Sequence, residues 1–159
     1  MPFNTLLVPL DGSTTAEQVL PHVTELARQL HSTVHLVTVI SPTEKGANVA
    51  MMGPYAGQIA HADAAAEGPE SPVPSERADE YLSNVAMRLH AENVKASYEV
   101  RTGQPVDELL TASHRQDVSL IAIASHGRTG FRRAVLGSVA DELLRRSGKP
   151  VMVVKTRAD

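Results

Sequence analysis

The chain has 159 residues, 42% of them hydrophobic and 21% charged, with a formal net charge of −3; this is the size of one domain, and it excludes a highly charged disordered chain. Cysteine is absent, which excludes disulfides, zinc–thiolate sites and cysteine nucleophiles, and 3% aromatic residues argue against a base-stacking nucleic-acid module. Because no apolar stretch reaches the roughly 18 residues of a membrane helix and the N-terminus does not resemble a signal peptide, we expect a cytoplasmic protein that binds neither nucleic acid nor membranes.

The charge is distributed unevenly along the chain. From residue 124 onwards there are eight Lys and Arg residues against three Asp and Glu residues, whereas the first 123 residues hold seven against fifteen. A basic segment of this kind is either a solvated helix face or part of an anion site. The charge alone leaves both interpretations open.

The first part of the chain predicts two strands around one helix. Residues 3–9 form a short, nearly continuous apolar run that is typical of a strand buried on both faces, and residues 33–40 form a second, β-branched run. Between them, apolar residues recur at three- and four-residue steps, which predicts an amphipathic helix. Thr14 and Glu17 have the spacing of a capping box at its start, and we expect Pro21 to cost the helix a hydrogen bond or to kink it.

Residues 41–74 break this pattern. They are rich in Ala, Gly, Pro and Ser and show no sustained apolar period. A connection of this length is uncommon in a compact domain and is usually a functional loop or disordered. We therefore predict a mobile loop insertion, either a lid over a ligand or a disordered surface loop.

The rest of the chain predicts three further strands, each preceded by a helix. The helices are placed at 75–91, 105–113 and 138–146 and the strands at 94–101, 118–124 and 151–154. This alternation favours a parallel α/β sheet with right-handed crossovers, in a single domain over residues 1–159. Ligands of such sheets bind beyond the carboxyl ends of the strands, at the point where the strand order reverses.

The motifs with chemical content follow the first and the fourth predicted strand. After the first strand, the Asp11 carboxylate can accept hydrogen bonds from ribose hydroxyls or help to hold a metal. The alternative is that Asp11 caps the next helix. After the fourth strand, Gly127 and Gly130 can expose successive N–H groups, and Gly137-Ser138 opens a helix whose free N–H groups favour phosphate. The alternative is a loop shaped by glycines, followed by a capping box of Ser138 and Asp141.

Other catalytic and phosphate-binding motifs are absent from the sequence. There is no P-loop motif, no G-x-G-x-x-G after a strand and no H-E-x-x-H spacing. Ser125-His126 lacks the first glycine of a nucleophile elbow, because Ile123 stands at that position, and no later His completes a hydrolase triad. No general base is held in place by a partner, so we predict no catalytic residue.

Several motifs together resemble the universal stress protein family. Ala124-x2-Gly127-x9-Gly137-Ser138 resembles the ATP-binding signature G-x2-G-x9-G-[ST] of this family, with Ala at the first Gly. The stretch from Val8 to Ser13, the turn Gly103-x-Pro105 and the ending from Gly148 to Val154 are also typical. The resemblance covers the chain except residues 41–74.

The resemblance implies a Rossmann-like α/β fold of the adenine nucleotide alpha hydrolase-like type, an open five-stranded parallel sheet of order 3-2-1-4-5 with helices on both faces. It implies that ATP, ADP or cyclic AMP binds at the switch point between strands 1 and 4, with Mg²⁺ near Asp11. The implied nucleotide-binding residues are Pro9, Asp11, Val39, Ala124, Ser125, His126, Gly127, Arg128, Gly130, Gly137, Ser138 and Val139. A homodimer through the last strand, Val151–Val154, is implied too, and an unpaired apolar edge gives it a physical reason.

From this resemblance we predict a regulatory protein of the stress response that binds ATP or a related adenine nucleotide. Two alternatives stay open. One is a dimeric interaction module without nucleotide, suggested by Ala124 in place of glycine. The other is a slow ATPase or autophosphorylating protein.

Overall fold

The computed structural model of the chain describes residues 3–42, 74–125 and 137–156. Within these ranges it contains five strands and five helices. In chain order they are β1 (Thr5–Pro9), α1 (Thr14–Glu17), α2 (Leu20–Leu30), β2 (Thr33–Ile40), α3 (Pro74–Ala91), β3 (Ala96–Thr102), α4 (Pro105–Ser113), β4 (Val118–Ser125), α5 (Ser138–Arg146) and β5 (Val151–Lys155). The predicted elements are confirmed with boundaries within two residues, except for the first predicted helix. Of the predicted loop insertion at 41–74, residues 43–73 lie outside the described residues.

The five strands form one parallel sheet in the order β3-β2-β1-β4-β5. β1 pairs with β2 on one side and with β4 on the other, so the strand order reverses at β1. The carboxyl ends of β1 and β4 therefore lie side by side. This confirms the predicted fold class and locates the switch point, where such sheets bind their ligands, between β1 and β4.

The sheet buries a hydrophobic cluster on each of its faces. β1 is buried along its whole length, as the continuous apolar run predicts for a central parallel strand. On one face the strands pack against α1, α2 and α3, through residues that include Leu6, Val8, Ala16, Val23, Leu36, Leu82, Leu89 and Ala124. On the other face they pack against α4 and α5, through residues that include Leu7, Val37, Val39, Leu109, Ile121, Ile123 and Leu143. Each fully buried Leu or Val contributes about 1.5–3 kcal/mol, so helices on both faces are needed to cover this sheet.

The prediction of one continuous helix after β1 is wrong, because the structure has two helices there. α1 ends at Glu17 and α2 begins at Leu20, with Pro21 in the first turn of α2. In the first turn a proline has no hydrogen bond to lose, whereas inside a continuous helix its ring would clash with the carbonyl of Glu17. The chain therefore breaks before the proline instead of bending at it.

The predicted capping box of Thr14 and Glu17 is also wrong. The N-cap of α1 is Ser13, whose Oγ accepts the backbone N–H three residues further on at 3.0 Å. The Glu17 carboxylate instead accepts the hydroxyl of Tyr81 at 2.9 Å and Nη2 of Arg88 at 2.8 Å, both from α3. Burial, together with the charge of Glu17, raises the pKa of Tyr81. Glu17 thus joins α1 to α3.

Candidate functional site

Asp11 directly follows β1 and holds a carboxylate at the switch point. Only 4% of its surface is exposed. Its Oδ1 accepts the N–H of Ser13 at 2.9 Å, across a turn in which Gly12 adopts a φ of 79°, a conformation that favours glycine. Among the described residues, Oδ2 has no hydrogen-bond partner. Buried polar atoms are nearly always paired, so this oxygen is available to accept a hydrogen bond or to bind a cation.

The end of β1 is held on one side by β2. The strand pairing ends at Pro9, which lies opposite Val37. Beyond it, the N–H of Leu10 donates to the carbonyl of Val37 at 2.9 Å, and Oγ1 of Thr38 donates to the carbonyl of Leu10 at 2.9 Å. The backbone leading into Asp11 is therefore fixed by two hydrogen bonds from β2.

Val39 lies two residues after Val37 in β2, at a position beyond the end of β1. It is paired with Arg101 of β3, and its side chain is completely buried in the cluster under α4 and α5. Its implied role as an adenine-lining residue stays a prediction.

Ala124 and Ser125 form the carboxyl end of β4. Ala124 pairs with Val154, and its methyl group belongs to the cluster on the α1, α2 and α3 face, where α1 lies against β4. It is not among the non-glycine residues with positive φ, so its backbone does not require glycine. The carbonyl of Ser125 accepts both the N–H and the hydroxyl of Thr156, at 3.2 and 2.7 Å. Ser125 itself is buried.

The N-terminus of α5 has no side-chain cap. Its N-cap is Gly137, and Ser138 is the exposed first helical residue. The predicted capping box of Ser138 and Asp141 is therefore wrong, because the helix begins one residue earlier than the box requires. Asp141 donates its N–H to the carbonyl of Gly137 at 2.9 Å, and its carboxylate accepts Nε of Arg145 at 2.9 Å. Within the part of the chain that the structure describes, no side chain caps the first N–H groups of this nine-residue helix, and uncapped N–H groups at a helix start can bind an anion.

The space at Gly137 is open. A Cβ atom added there would meet none of the described heavy atoms within 4 Å, and the φ of −55° is one that any residue adopts. Neither packing nor backbone conformation in the described part of the chain requires glycine here. Two physical reasons for a glycine remain at this position, namely its suitability as an N-cap and close approach of a ligand to the backbone.

The basic residues of α5 have acidic partners. Arg145 pairs with Asp141 at 2.9 Å, and Arg146 pairs with Glu142 at 3.3 Å and with Asp107 of α4 at 3.8 Å. For these two arginines the solvated helix face is the correct interpretation.

Four predicted site residues lie outside the described residues. They are His126, Gly127, Arg128 and Gly130. The structure brings Pro9, Asp11, Ala124 and Ser125 to neighbouring strand ends. Because α5 packs on β4 and β5 as a crossover helix, its N-terminus with Gly137, Ser138 and Val139 faces the same edge of the sheet.

Sequence reasoning did not identify Thr38 and Thr156, which hold the two strand ends. In the sequence, Thr38 is one of several β-branched residues of an apolar strand. The available signal was its hydroxyl, since a polar group in the middle of a buried strand needs a partner.

The described part of the chain contains neither a cluster of metal-ligating side chains nor a membrane-spanning helix. No three His, Asp or Glu side chains are grouped there to hold a metal ion. In the same ranges, none of the helices combines the length and the apolar character needed to cross a bilayer.

Known proteins are similar to this chain in sequence and in fold. The model of the universal stress protein family matches residues 2–155. Universal stress protein MJ0577 of Methanocaldococcus jannaschii is 28% identical over 161 residues, which cover 98% of this chain and 96% of that protein. The solved structure of MJ0577 matches with a TM-score of 0.70 at 26% identity over all of both chains.

Two further solved structures have the same fold at lower identity. A universal stress protein in complex with cAMP has a TM-score of 0.66 and 18% identity, over 99% of this chain and 100% of that one. The universal stress protein from Archaeoglobus fulgidus in complex with dAMP has a TM-score of 0.62 and 21% identity, over 98% of this chain and 100% of that one. Since the family match extends over nearly the whole sequence, and the strand order is the one that the sequence motifs imply, the chain belongs to the universal stress protein family.

Proposed function

We propose that this protein binds an adenine nucleotide at the β1/β4 switch point and acts as a cytoplasmic regulatory protein of the stress response, not primarily as an enzyme. The observation that carries the proposal is Asp11. Its carboxylate is buried at the end of β1, and Oδ2 has no hydrogen-bond donor in the described part of the chain. A ribose hydroxyl is a donor that such an oxygen needs.

The ligands of two structural relatives support this assignment. One relative is in complex with cAMP and the other with dAMP. Both ligands combine adenine, a phosphate group and a sugar that keeps one free hydroxyl. The shared chemistry matches an acceptor carboxylate and an anion-binding helix end.

The start of α5 supports phosphate binding at the same edge of the sheet. The helix has no side-chain cap, its first residue Ser138 is exposed, and Gly137 leaves open space above the backbone. Uncapped N–H groups and the positive end of the helix dipole favour a phosphate. We propose that Gly137, Ser138 and Val139 contact phosphate, together with His126, Gly127, Arg128 and Gly130, which are proposed from the sequence signature alone.

Ala124 is compatible with nucleotide binding, so it does not by itself favour the alternative of an interaction module without nucleotide. Where the family signature has glycine, Ala124 adds a methyl group near the proposed ligand site. That methyl group packs into the cluster on the α1 face, and the backbone of Ala124 has no glycine-only conformation. The substitution is therefore compatible with an unchanged strand end.

We propose ATP as the ligand, with ADP and cyclic AMP as the competing candidates. Mg²⁺ commonly binds through one or two carboxylates together with substrate phosphates, so Oδ2 of Asp11 would serve as a Mg²⁺ ligand only if it is not occupied by the ribose. The three nucleotides differ in this respect, because cyclic AMP has no polyphosphate to share a metal with the protein. The dependence of binding on Mg²⁺ therefore distinguishes them.

We propose that two chains associate through β5. Within the sheet of this chain β5 is an edge strand, and Val151, Met152, Val153 and Val154 are only half-buried. An apolar edge strand of this kind can pair with a second copy. Sedimentation at micromolar concentrations should give twice the chain mass, and a mass of one chain at all concentrations would refute the dimer.

Isothermal titration calorimetry tests the nucleotide proposal. ATP, ADP and cyclic AMP are titrated with and without Mg²⁺ into the wild-type protein, Asp11→Asn and the control Asp79→Asn, which makes the same charge change on an exposed residue of α3. The asparagine side chain of Asp11→Asn keeps an acceptor for Ser13 but removes the acceptor at Oδ2, so affinity should fall about 10- to 100-fold in this variant only. The proposal fails if the folded wild-type protein binds none of the three nucleotides, or if both variants bind equally well.

A further inference from the structure

Thr38 is a completely buried threonine whose hydroxyl reaches the end of the neighbouring strand. Its Oγ1 donates to the carbonyl of Leu10 at 2.9 Å. The N–H of Leu10 donates in turn to the carbonyl of Val37 at 2.9 Å. Both backbone polar groups of Leu10 are thus bonded to β2, although the regular pairing of β1 with β2 ends one residue earlier, at Pro9. Leu10 is the residue that immediately precedes Asp11.

Thr156 makes the corresponding contact on the other side of the switch point. It follows β5 and is 5% exposed. Its N–H and its Oγ1 both donate to the carbonyl of Ser125, at 3.2 and 2.7 Å. Ser125 is the last residue of β4, from which the chain leaves the sheet towards the glycine-rich segment.

Packing alone does not explain these two hydroxyl groups. Valine has nearly the same shape as threonine, is as well suited to a strand, and avoids the cost of burying a hydroxyl. At Thr156 the Ser125 carbonyl already accepts a backbone N–H, so the hydroxyl adds a second hydrogen bond to a satisfied acceptor. At Thr38 the hydroxyl holds a carbonyl that the regular pairing does not reach. In both places the bond fixes the direction in which the chain leaves the strand.

The two contacts are arranged symmetrically about the proposed site. β1 and β4 are neighbours, and each has a second neighbour on its outer side, β2 and β5. A threonine from the outer side holds a carbonyl at the carboxyl end of each strand: that of Leu10, one residue after β1, and that of Ser125, the last residue of β4. The hydroxyl groups therefore act on the two chain segments that carry the proposed nucleotide contacts.

We infer that Thr38 and Thr156 are positioning residues for the nucleotide site, an inference that rests on the proposed function. They do not touch the ligand. They fix the backbone at Leu10 and Ser125 before the ligand arrives, so that binding does not have to order these two chain exits. Preorganisation of this kind raises affinity because it removes an ordering cost from the binding step.

Conservative variants at the two threonines test this inference. Thr38→Val and Thr156→Val remove each hydroxyl and keep the shape, whereas Thr38→Ser and Thr156→Ser keep the hydroxyl and remove the methyl group. Thr24→Val is the control, because Thr24 is a buried threonine of α2 outside the site. We expect both threonine-to-valine variants at the site to bind nucleotide about 3- to 10-fold more weakly, and the serine variants and Thr24→Val to bind within about twofold of the wild type.

A second measurement keeps the inference testable without any nucleotide. Amide hydrogen exchange of the free protein is followed at Ser13, whose N–H is held by Asp11, and at Thr156, whose N–H is held by Ser125. Exchange should be faster at Ser13 in Thr38→Val and at residue 156 in Thr156→Val. In Thr38→Ser and Thr156→Ser, exchange at these two positions should be as slow as in the wild-type protein. A thermal melt of each variant checks that the fold is retained.

The outcomes separate the two proposals. If the wild-type protein binds no nucleotide, the proposed function has failed, and the exchange data still decide whether the threonines hold the strand ends. If the valine variants bind nucleotide as the wild type does and exchange at Ser13 and residue 156 is unchanged, the inference is overturned. If serine fails to restore what valine removes, a packing role of the methyl group replaces the positioning role.

Discussion

Polar side chains are buried at two places in this sheet, and the two differ in whether their polar atoms have partners. Under α4, His35 is buried with both ring nitrogens contacted. Its Nδ1 lies 2.8 Å from Oγ of Ser97, and its Nε2 lies 3.2 Å from Nη1 of Arg115 and 3.3 Å from Oε1 of Glu99. We call these four residues the His35 network. Asp11 at the switch point is buried to the same extent, but only one of its two oxygens has a partner in the described part of the chain.

The surroundings of the His35 network continue this pattern of paired charges. Arg101 pairs with Glu108 at 2.8 Å and with Glu99 at 3.4 Å. Burial alone would lower the pKa of Arg101, but the two carboxylates outweigh it and raise the pKa. A network in which each charge has a partner stabilises the fold, whereas a buried carboxylate with a free oxygen retains binding capacity. In this sheet the carboxylate with an unpaired oxygen, not the larger polar cluster, therefore indicates the ligand site.

The largest expected effect comes from breaking the His35 network. His35→Ala should lower the free energy of unfolding by about 2–4 kcal/mol, because it opens a cavity and removes the ring that Ser97, Glu99 and Arg115 contact. His22→Ala, an exposed histidine of α2, should change the same quantity by less than about 0.5 kcal/mol. Urea unfolding of both variants measures the difference. Equal stability of the two variants would mean that the network is not structural.

Replacing Asp11, the carboxylate with an unpaired oxygen, should lower stability markedly only when nucleotide is present. Asp11→Asn keeps the acceptor for Ser13, so the free protein should lose less than about 1 kcal/mol. With nucleotide at 100 times its dissociation constant, the wild-type protein should gain about 2.7 kcal/mol and the variant should gain almost none. Thermal unfolding with and without nucleotide measures both effects. A large loss of stability in the free variant would make Asp11 a structural residue.

A smaller effect is expected at the start of α5. Gly137→Ala should lower the free energy of unfolding by about 0.5–1 kcal/mol, because alanine is a poorer N-cap than glycine. The loss should be no larger, because the added methyl group has room among the described residues. If phosphate approaches the backbone here, nucleotide affinity should fall in this variant, whereas the exposed Ser75→Ala on α3 should leave it unchanged. Calorimetry distinguishes the two. Unaltered affinity in Gly137→Ala would remove this helix end from the site.

The smallest effect is expected from acid. Asp117 borders the His35 network and accepts hydrogen bonds from Arg115 at 3.1 and 3.2 Å and from Thr5 at 3.1 Å. Burial would raise its pKa, but these bonds dominate and lower it. A lowered pKa in the folded state means that the stabilisation is complete above the ordinary Asp value of about 3.9 and is lost as the pH falls through the lower folded value.

The corresponding measurement is the pH dependence of stability. Between about pH 5 and pH 2, Asp117→Asn should show a shallower decline of stability than the wild-type protein. The effect is small because the Asp117 side chain is 45% exposed. The exposed Asp79→Asn is the control, and identical slopes in all three proteins would contradict the assignment.

Much of the fold could be predicted because it depends on local patterns. The apolar run of β1 and the helical period of α3 appear directly in the sequence, and the boundaries agree within two residues. The break before Pro21 was missed because a helical period and a proline give opposite signals, and only the packing decides where the chain breaks.

The candidate site could be predicted less completely. The position of Asp11 follows from its place after β1, but the unpaired Oδ2 depends on which donors the fold brings near it. Thr38 and Thr156 act on residues that are 28 and 31 positions away in the chain. Their role depends on strand register, which a sequence pattern does not contain.

The contacts of Glu17 give the Asp11 turn a connection that does not follow the chain. α1 is a single turn directly after Asp11, Gly12 and Ser13, and its Glu17 is joined to Tyr81 and Arg88 of α3, 64 and 71 positions away. α3 is the first described element after residues 43–73, so a shift of α3 along its axis would have to break these two bonds or carry the Asp11 turn with it.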